Sequence, residues 1–315
     1  MDVLVVGDAN PDLVLRGDVR PRFGQAEQLL TGADLVLGGS AAITAAGCAR
    51  LGLTTSLLTA LGDDVFGDIT RERLTERGVT LILPRTATGR PTGLSVILNP
   101  ADDERSILTL PGTIPTLRPE DITDEHLADT RHLHVASLYL QPELAAGLAG
   151  VFERARALGV GTSLDTNFDP TEKWEPITDI LAHTDVFLPN AAELRAVTGE
   201  PDLDKAAAKL VAAGTTVVMK NGAAGARAWW PGDETAAPGL AVDVVDTTGA
   251  GDSFNAGFLA ARLGGLSIGE AIRWAAVAGS LSTRAAGGTA AQPTRNELAP
   301  TQPQPDSPSP TTSPA

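Results

Sequence analysis

Short apolar runs and longer amphipathic stretches alternate along most of this 315-residue chain. The run Val3–Val6, followed directly by Gly7, predicts a buried strand, and similar runs predict further strands. Where apolar residues recur every three or four positions, the pattern predicts helices. The further strands are 132–136, 161–165, 185–188, 216–219 and 241–245, and the helices are 40–51, 65–77, 143–158, 191–198, 203–213, 252–263 and 268–284. Because the strands are apolar without alternation and helices lie between them, we expect a doubly wound α/β/α fold with a mostly parallel sheet.

Two stretches depart from this pattern, residues 12–37 and 90–112. Both contain short apolar pieces separated by Gly and Pro. In the second, 94–98 and 106–110 flank the polar turn 99–104, which is a hairpin pattern. We predict that the two stretches pair into one small β-sheet that forms a lid on a single domain spanning 1–298. The Pro-, Ser- and Thr-rich tail 299–315 has no apolar periodicity and is predicted to be disordered.

Charge and composition limit the classes of partner that we expect. The 24 Lys and Arg residues against 39 Asp and Glu residues give a net charge of −15, which repels polyanions, so we expect neither nucleic acid nor a membrane surface as partner. Cys48 is the single cysteine, which excludes an intrachain disulfide and predicts an inert packed thiol. The chain begins without a secretory pattern and has no run of membrane-spanning length, so we expect a cytoplasmic protein.

The most specific chemical feature is the segment 246–254, with the sequence DTTGAGDSF. A predicted strand ends there, small residues follow, and a helix is predicted to begin at Asp252. Backbone amides of Gly249, Ala250 and Gly251 near a helix N-terminus suit an anion. Asp252 has two interpretations: it is a helix cap, or it is a base that accepts the proton of an attacking hydroxyl in phosphoryl transfer. A dinucleotide fingerprint is disfavoured, since Phe254 takes the place of the third glycine and two helices follow without a strand.

The longer segment 246–258, DTTGAGDSFNAGF, resembles the C-terminal motif of the ribokinase-like (PfkB) carbohydrate kinases. Further matches follow in the order of that family: GGS at 38–40, LGDDVFG at 61–67, NAAE at 190–193 and KNGAAG at 220–225. The resemblance implies a ribokinase-like fold and ATP-dependent phosphorylation of a hydroxymethyl group of a small sugar. Its implied cofactors are ATP and Mg²⁺, with K⁺ as a further candidate.

The resemblance also implies roles for individual residues. Asp252 is the general base, and Gly249, Ala250 and Gly251 form the anion hole. The nucleotide side comprises Asn190 and Glu193, which position Mg²⁺ through water, together with Lys220, Gly222 and Gly225. Asp246 and Thr248 correspond to a monovalent-cation site in some members. Taken without the resemblance, Asn190 reads as a helix cap, Glu193 as a solvated helix face, and 246–248 as a strand-end cap.

On the substrate side the resemblance points to Asn10, Asp12, Gly38, Gly39 and Ile43. Asn10 and Asp12 could bind vicinal hydroxyls, although Asn-Pro-Asp is also a common turn. Many relatives carry Asn where this chain has Ile43, a difference that argues against ribose itself.

Other polar residues have weaker assignments. Arg105 could contact an anionic substrate or be solvated. His134 and Tyr139 are interpreted as packing rather than catalytic residues. Asp165 and Asn167, at the carboxyl edge of the sheet, are interpreted as supporting residues near the phosphates.

Two other functions fit the same sequence. A nucleoside kinase would place a base near Ile43, and a non-catalytic sugar- or nucleotide-binding regulator would keep the fold without the reaction. The intact segment 246–252 argues against the regulator. The family also implies a homodimer formed through the lid.

Overall fold

The computed structural model describes residues 1–84, 89–100 and 105–299. Within these residues the strands form two sheets, one of nine strands and one of four. The main sheet contains β1 Val3–Val6, β4 Thr55–Leu58, β5 Thr80–Ile82, β8 His132–Ala136, β9 Gly161–Asp165, β10 Val186–Phe187, β11 Thr216–Lys220, β12 Ala226–Trp230 and β13 Asp233–Ala237. The small sheet contains β2 Asn10–Gly17, β3 Leu30–Gly38, β6 Leu94–Asn99 and β7 Ser106–Leu110.

Helices cover both faces of the main sheet. They are α1 Ser40–Arg50, α2 Val65–Glu76, α3 Asp124–Ala128, α4 Pro142–Ala145, α5 Leu148–Ala157, α6 Thr178–Ala182, α7 Ala191–Thr198, α8 Leu203–Ala212, α9 Ala250–Leu263, α10 Ile268–Ser282 and α11 Arg295–Leu298. Successive residues of β1 enter two different cores: Val3 and Val5 pack with residues of α1, α9 and α10, and Leu4 and Val6 with residues of α5, α7 and α8. A strand covered on both faces needs apolar residues at every position, which explains the uninterrupted apolar run of β1. With helices on both faces of the main sheet, the predicted α/β/α fold is confirmed.

The strand order of the main sheet is β13-β12-β11-β10-β9-β8-β1-β4-β5. Strand β1 pairs in parallel with β4 on one side and β8 on the other, so the connections leave in opposite directions from this point. The antiparallel pairs β11–β12 and β12–β13 form one edge. Ligands of such sheets bind beyond the carboxyl ends of the strands near the reversal of strand order. Polar residues that follow β1, β9 and β11 therefore lie at the expected position of a site.

The two distant stretches do pair into the small sheet, as predicted. Its order is β3-β2-β6-β7, with β2 and β6 parallel and the other pairs antiparallel. Asp12, Ser95 and Thr109 form one cross-strand row on the face towards the main body. The tip of the predicted hairpin turn and the tail from residue 300 lie outside the described residues.

Three sequence predictions about elements were wrong in detail. Residues 241–245 form no strand in the part of the chain described; instead the Val245 amide donates to the Thr283 carbonyl at the end of α10. The predicted helix 143–158 is interrupted at Gly147, which leaves the helical conformation where a Cβ would lie 2.6 Å from Pro119. Helix α9 begins at Ala250, two residues before the predicted Asp252, because Gly249 adopts the left-handed conformation at its N-cap.

No helix among the described residues is long and apolar enough to cross a bilayer. Cys48 is fully buried in α1, and burial raises its thiol pKa to about 12. The prediction of a packed thiol is confirmed.

Candidate active site

The turn before α9 faces two cavities. Gly249 has φ of 71°, and a Cβ there would lie 2.6 Å from the Gly288 Cα, so both the conformation and the space require glycine. The Ala250 amide donates to the Thr247 carbonyl at 3.3 Å. The amides of Gly249 and Gly251 donate to no other described residue. Two of the three amides assigned to the anion hole are thus available to an anion.

Asp252 lies in the first turn of α9 and is 7% exposed. Its Oδ1 accepts a hydrogen bond of 2.5 Å from the Ser40 hydroxyl at the start of α1. Burial raises the pKa of Asp252 to about 7, an effect that Asp165 and Asp8 increase and the hydrogen bond from Ser40 opposes. A carboxylate with a pKa near neutrality is suited to accept a proton from an alcohol.

A cavity of about 480 Å³ opens on one side of this turn. It reaches from the β11–β12 connection to α10, and most of the residues that line it are apolar or small. A second cavity of about 220 Å³ opens on the other side, between the main body and the small sheet. Thr247, Ala250 and Gly251 line the larger cavity, and Thr248, Gly249 and Asp252 line the smaller one. Residues 247–252 therefore lie between the two cavities and border both.

Lys220, at the end of β11, lines the larger cavity. Its Nζ lies 2.5 Å from Asp165 Oδ2, and the same oxygen accepts a hydrogen bond of 2.6 Å from Asn255 Nδ2. A Cβ on Gly251 would lie 3.6 Å from Nζ, so the ammonium group lies beside the anion-hole turn. Burial opposes its charge, but the carboxylates of Asp165 and Glu193 outweigh burial and raise the pKa of Lys220. A permanent positive charge thus lies next to the proposed phosphate position.

Gly222 and Gly225, predicted on the nucleotide side, both line the larger cavity. Gly225 has φ of 92°, and a Cβ there would lie 2.1 Å from the Ala237 carbonyl oxygen, so the β11–β12 connection can pass this closely only with glycine. Gly222 also has a positive φ, of 55°, with open space around it.

Asn190 and Glu193 form a capping box at the start of α7. Asn190 Oδ1 accepts from the Glu193 amide, and Glu193 Oε2 accepts from the Asn190 amide at 2.8 Å. The cap interpretation of Asn190 is confirmed. The interpretation of Glu193 as a solvated face is wrong, because it is only 6% exposed; burial and nearby Asp165 raise its pKa to about 7.

The smaller cavity contains the predicted substrate residues Asn10 and Asp12. They begin β2 rather than a turn, and Asn10 Nδ2 donates to Asp12 Oδ1 at 2.8 Å. Burial and the neighbouring Asp8 raise the pKa of Asp12 to about 7. Gly38 lies outside the cavity lining but is required behind it, since a Cβ there would lie 2.0 Å from Asp12 Oδ1.

Gly39 and Ile43 also line the smaller cavity. Gly39 has φ of 86°, and a Cβ there would lie 2.7 Å from the Asp8 carbonyl oxygen. Ile43 is 3% exposed and packs against the backbone positions of Gly249 and Gly288.

Arg105 is not simply solvated, which corrects one alternative considered from the sequence. Its Nη1 donates to Thr248 Oγ1 at 2.6 Å and lies 3.6 Å from Asp246 Oδ1. Asp246 Oδ1 also accepts from the Thr248 amide, and Oδ2 from the Gly287 amide. The cap interpretation of residues 246–248 therefore describes the Asp246 side chain. An arginine from the small sheet reaches the same turn.

Several important residues carried no assigned role in the sequence predictions. Asp8 accepts from the amides of Ser40 and Ala41, Ser40 bonds Asp252, and Asn255 bonds Asp165. Asp8 lies two residues after the end of β1, at the carboxyl edge of the sheet, and this position is a signal that the sequence contains. The bond of Ser40 to Asp252 joins residues 212 positions apart and has no such signal.

The other four residues with weaker assignments agree with the predictions in part. His134 is fully buried against Ser163, and Tyr139 contacts Trp174 edge-on, as expected of packing residues. Asp165 contacts Lys220 beside the larger cavity, but Asn167 lines the smaller cavity rather than the larger one. Among the described residues there is no cluster of three or more His, Cys, Asp or Glu side chains arranged to hold a metal ion.

The chain resembles known proteins over most of its length. The family model described as pfkB family carbohydrate kinase matches residues 1–295. The chain belongs to this family. It is an ATP-dependent carbohydrate kinase that transfers a phosphoryl group to an alcohol, as the sequence predicted.

Relatives with different named substrates are similar to this kinase in sequence or in structure. It is 32% identical to a ribokinase of Arabidopsis thaliana, over 94% of this chain and 79% of the relative. It is 31% identical to an ATP-dependent ribose-1-phosphate kinase of Halopiger xanaduensis, over 94% and 96%. Among solved structures, Arabidopsis thaliana ribokinase complexed with ribose and ATP has a TM-score of 0.81 at 27% identity, over 94% and 97% of the two chains. Adenosine kinase from Sinorhizobium meliloti has a TM-score of 0.80 at 25% identity, over 91% and 95%.

Proposed function

We propose that this kinase transfers the γ-phosphoryl group of ATP to a hydroxymethyl group of a small, uncharged sugar. The observation that carries the proposal is that residues 247–252 border both cavities, with Asp252 on the side of the smaller one. A donor in the larger cavity and an acceptor in the smaller one would place the reacting atoms at this turn. Positioning and charge stabilisation are the main requirements of phosphoryl transfer.

The chain supplies each part of that chemistry. A carboxylate oxygen of Asp252 accepts the proton of the sugar hydroxyl while the hydroxyl oxygen bonds to phosphorus. In the same transfer the bond between phosphorus and the leaving ADP oxygen breaks. The amides of Gly249 and Gly251 and the ammonium of Lys220 stabilise the charge on the migrating group. Gly222 and Gly225 allow the backbone to approach the nucleotide.

The residues on the nucleotide side of the site suit a bound magnesium ion as well as ATP. Glu193 is a buried carboxylate close enough to Asp165 and Lys220 to be influenced by their charges. One or two carboxylates with several waters is the usual protein environment of Mg²⁺, which would neutralise phosphate charge when bound. Asn190 and Glu193 would hold it through water. The side chains of Asp246 and Thr248 bind each other and Arg105, so a monovalent ion such as K⁺ would rely on their backbone carbonyls.

We call the smaller cavity the acceptor cavity, since the proposal places the acceptor there. The charged residues that line it favour a neutral substrate over a sugar phosphate or sugar acid. Asp8, Asp12 and Asp252 line it, and crowding by Asp8 contributes to the raised pKa of the other two. Arg105, the only positive side chain among the described lining residues, is already paired with Asp246. A further anion would meet repulsion without a free partner.

Cavity size bears on the nucleoside alternative. The apolar residues Ile43, Ile97 and Ile107 line the acceptor cavity and could contact a base. However, about 220 Å³ lies below the roughly 300–1,000 Å³ typical of sites for drug-sized ligands. The sugar is therefore the better fit, and a nucleoside kinase remains the second candidate.

We also propose that the small sheet is a lid over the smaller cavity and that two copies of the chain form a homodimer through the other face of this sheet. Asp12, Ile97 and Ile107 project to the cavity. The positions between them on the same strands project to the opposite face, which is apolar and only partly buried: Leu13, Leu15, Leu35, Val96, Leu98, Leu108 and Leu110. An apolar sheet face of this kind is typical of an interaction surface.

Replacing Asp252 with Asn tests the mechanism. The amide keeps the shape of the side chain but cannot accept the proton, so kcat should fall about 10²–10⁴-fold while ATP affinity changes little. Steady-state kinetics and ATP titration measure both. Near-normal turnover of the variant would contradict the assignment of the base.

A substrate panel with ATP and Mg²⁺ tests the acceptor class. We expect the highest kcat/KM for a neutral pentose or hexose, with ribose 1-phosphate, a sugar acid and adenosine each at least tenfold lower. Preference for adenosine would establish the nucleoside alternative, and preference for the phosphate would overturn the charge argument.

A further inference from the structure

Ser40 is held between two carboxylates. Its amide donates to Asp8 Oδ2 at 3.1 Å, and its hydroxyl donates to Asp252 Oδ1 at 2.5 Å. The neighbouring Ala41 amide donates to the other oxygen of Asp8, at 3.0 Å. With its backbone fixed in this way and only 8% of the residue exposed, Ser40 has little freedom to turn its hydroxyl elsewhere.

The backbone around Ser40 brings α1 and α9 to the same point. Gly39 has a positive φ and no room for a Cβ beside Asp8, so the start of α1 lies directly against the end of β1. One turn further along α1, Thr44 Oγ1 donates to the backbone carbonyl of Asp252 at 3.4 Å. The two helices are therefore joined both through the carboxylate of Asp252 and through its backbone.

We propose that Ser40 is a positioning residue for the transfer reaction, holding Oδ1 of Asp252 so that Oδ2 accepts the proton of the sugar hydroxyl. The inference rests on the proposed function of Asp252 as base. A carboxylate attached by a single rotatable bond gains a defined orientation when one oxygen is fixed, and an oriented base is more effective than a mobile one.

The same hydrogen bond acts on the charge of the base. Asp252 is faced by Asp8 after β1, Asp165 at the end of β9 and Lys220 at the end of β11. Asp12 in β2 and Arg105 just before β7 line the same cavity. Of these surroundings, burial and the carboxylates raise the pKa of Asp252, while Ser40 and Lys220 lower it. Loss of the Ser40 hydroxyl should consequently move the acidic limb of the kcat profile to higher pH.

The test compares Ser40→Ala with Ser40→Thr and with Thr44→Val. For Ser40→Ala we expect kcat to fall about ten- to a hundredfold, the size of one hydrogen bond to a charged group, with unchanged KM for ATP and an acidic limb at higher pH. Ser40→Thr keeps a hydroxyl and should restore kcat to within a few-fold and the limb to its original position. Thr44→Val removes the contact with the backbone of the same aspartate and should leave the pH profile unchanged.

Three results would overturn the proposal. The first is a normal kcat and pH profile in Ser40→Ala. The second is a rise in the acceptor KM with an unmoved acidic limb, which would make Ser40 a sugar ligand. The third is an equal effect of Thr44→Val on the profile, which would indicate helix packing.

A double variant separates this inference from the proposed function. If Ser40 acts only through the base, Ser40→Ala adds no further loss in an Asp252→Asn background. If Asp252→Asn itself is fully active, the proposed function fails; if only Ser40→Ala is silent, this inference alone fails.

Discussion

At the scale of single residues, Lys220 and Asp165 show how a buried charge is made tolerable. The side chain of Asp165 is 1% exposed, yet its Oδ2 accepts from both Lys220 and Asn255. Removing one member of such a pair leaves a charge without its counter-ion in a poorly hydrated position, which is costly. The pair therefore joins the stability of the sheet edge to the phosphate side of the site.

Replacing Lys220 with Met should lower the free energy of unfolding by about 3 kcal/mol and raise the KM for ATP at least tenfold, because Asp165 loses its counter-ion and the turn loses a positive charge. Urea unfolding and steady-state kinetics measure the two effects. Lys209→Met is the control, since Lys209 is half exposed in its pair with Glu200 and should contribute less than about 1 kcal/mol. A Lys220→Met variant as stable as the control would contradict the argument.

At the scale of elements, the hydrophobic pattern predicted the strands and helices that are covered on a definite face. The run Val3–Val6 and the helix α1 were recognisable because nearly all of their residues are small or apolar, and the structure buries them. The run 241–245 has the same composition as a strand but is held by the end of α10, and Val244 and Val245 are each 62% exposed. Pairing partners decide such a case, and a local pattern does not contain them.

The site was predictable where its residues lie within one motif and unpredictable where distant segments meet. The turn 249–252 was identified because its small residues and its carboxylate are adjacent in sequence. The bonds of Asp252 to Ser40, of Lys220 to Asp165 and of Arg105 to Thr248 span 212, 55 and 143 positions. They depend on the packing of α1, the order of the strands and the placement of the small sheet.

The β2–β3 pair provides a test at this scale. Gly38→Ala places a Cβ where the Asp12 carboxylate now lies, so Asp12 must move and the KM for the sugar should rise at least tenfold, with a loss of about 1–3 kcal/mol in stability. Gly150→Ala, at an exposed position of α5 with no atom within 4 Å of the new Cβ, should instead raise the stability by up to about 1 kcal/mol. Kinetics and thermal unfolding compare the two. An unchanged sugar KM in Gly38→Ala would show that Asp12 is not a substrate ligand.

At the scale of the whole molecule, the small sheet has two chemically different faces. One face lines the smaller cavity, and the other is apolar and partly exposed, with Leu108 57% and Leu110 49% exposed. Burying that face against a second copy would hold each small sheet over its own cavity.

The double change Leu108→Glu and Leu110→Glu should convert a dimer into a monomer, because two carboxylates would be buried without partners at the interface. Light scattering at micromolar concentration measures the mass. Leu158→Glu is the matched control, as Leu158 is 50% exposed at the end of α5, outside the small sheet. A monomeric wild-type protein, or a dimer that survives the double change, would remove the small sheet as the interface.

The carboxyl groups around the acceptor cavity also affect how a catalytic cycle ends. A neutral sugar bound as proposed would enter beside Asp8, Asp12 and Asp252 without electrostatic penalty and would acquire a dianionic group there. Above about pH 7 Asp12 is ionised and would repel this product, while Asp252 has taken up the proton and Arg105 is occupied by Asp246. Departure of the phosphorylated sugar is thereby favoured, and its accumulation should inhibit the enzyme only weakly.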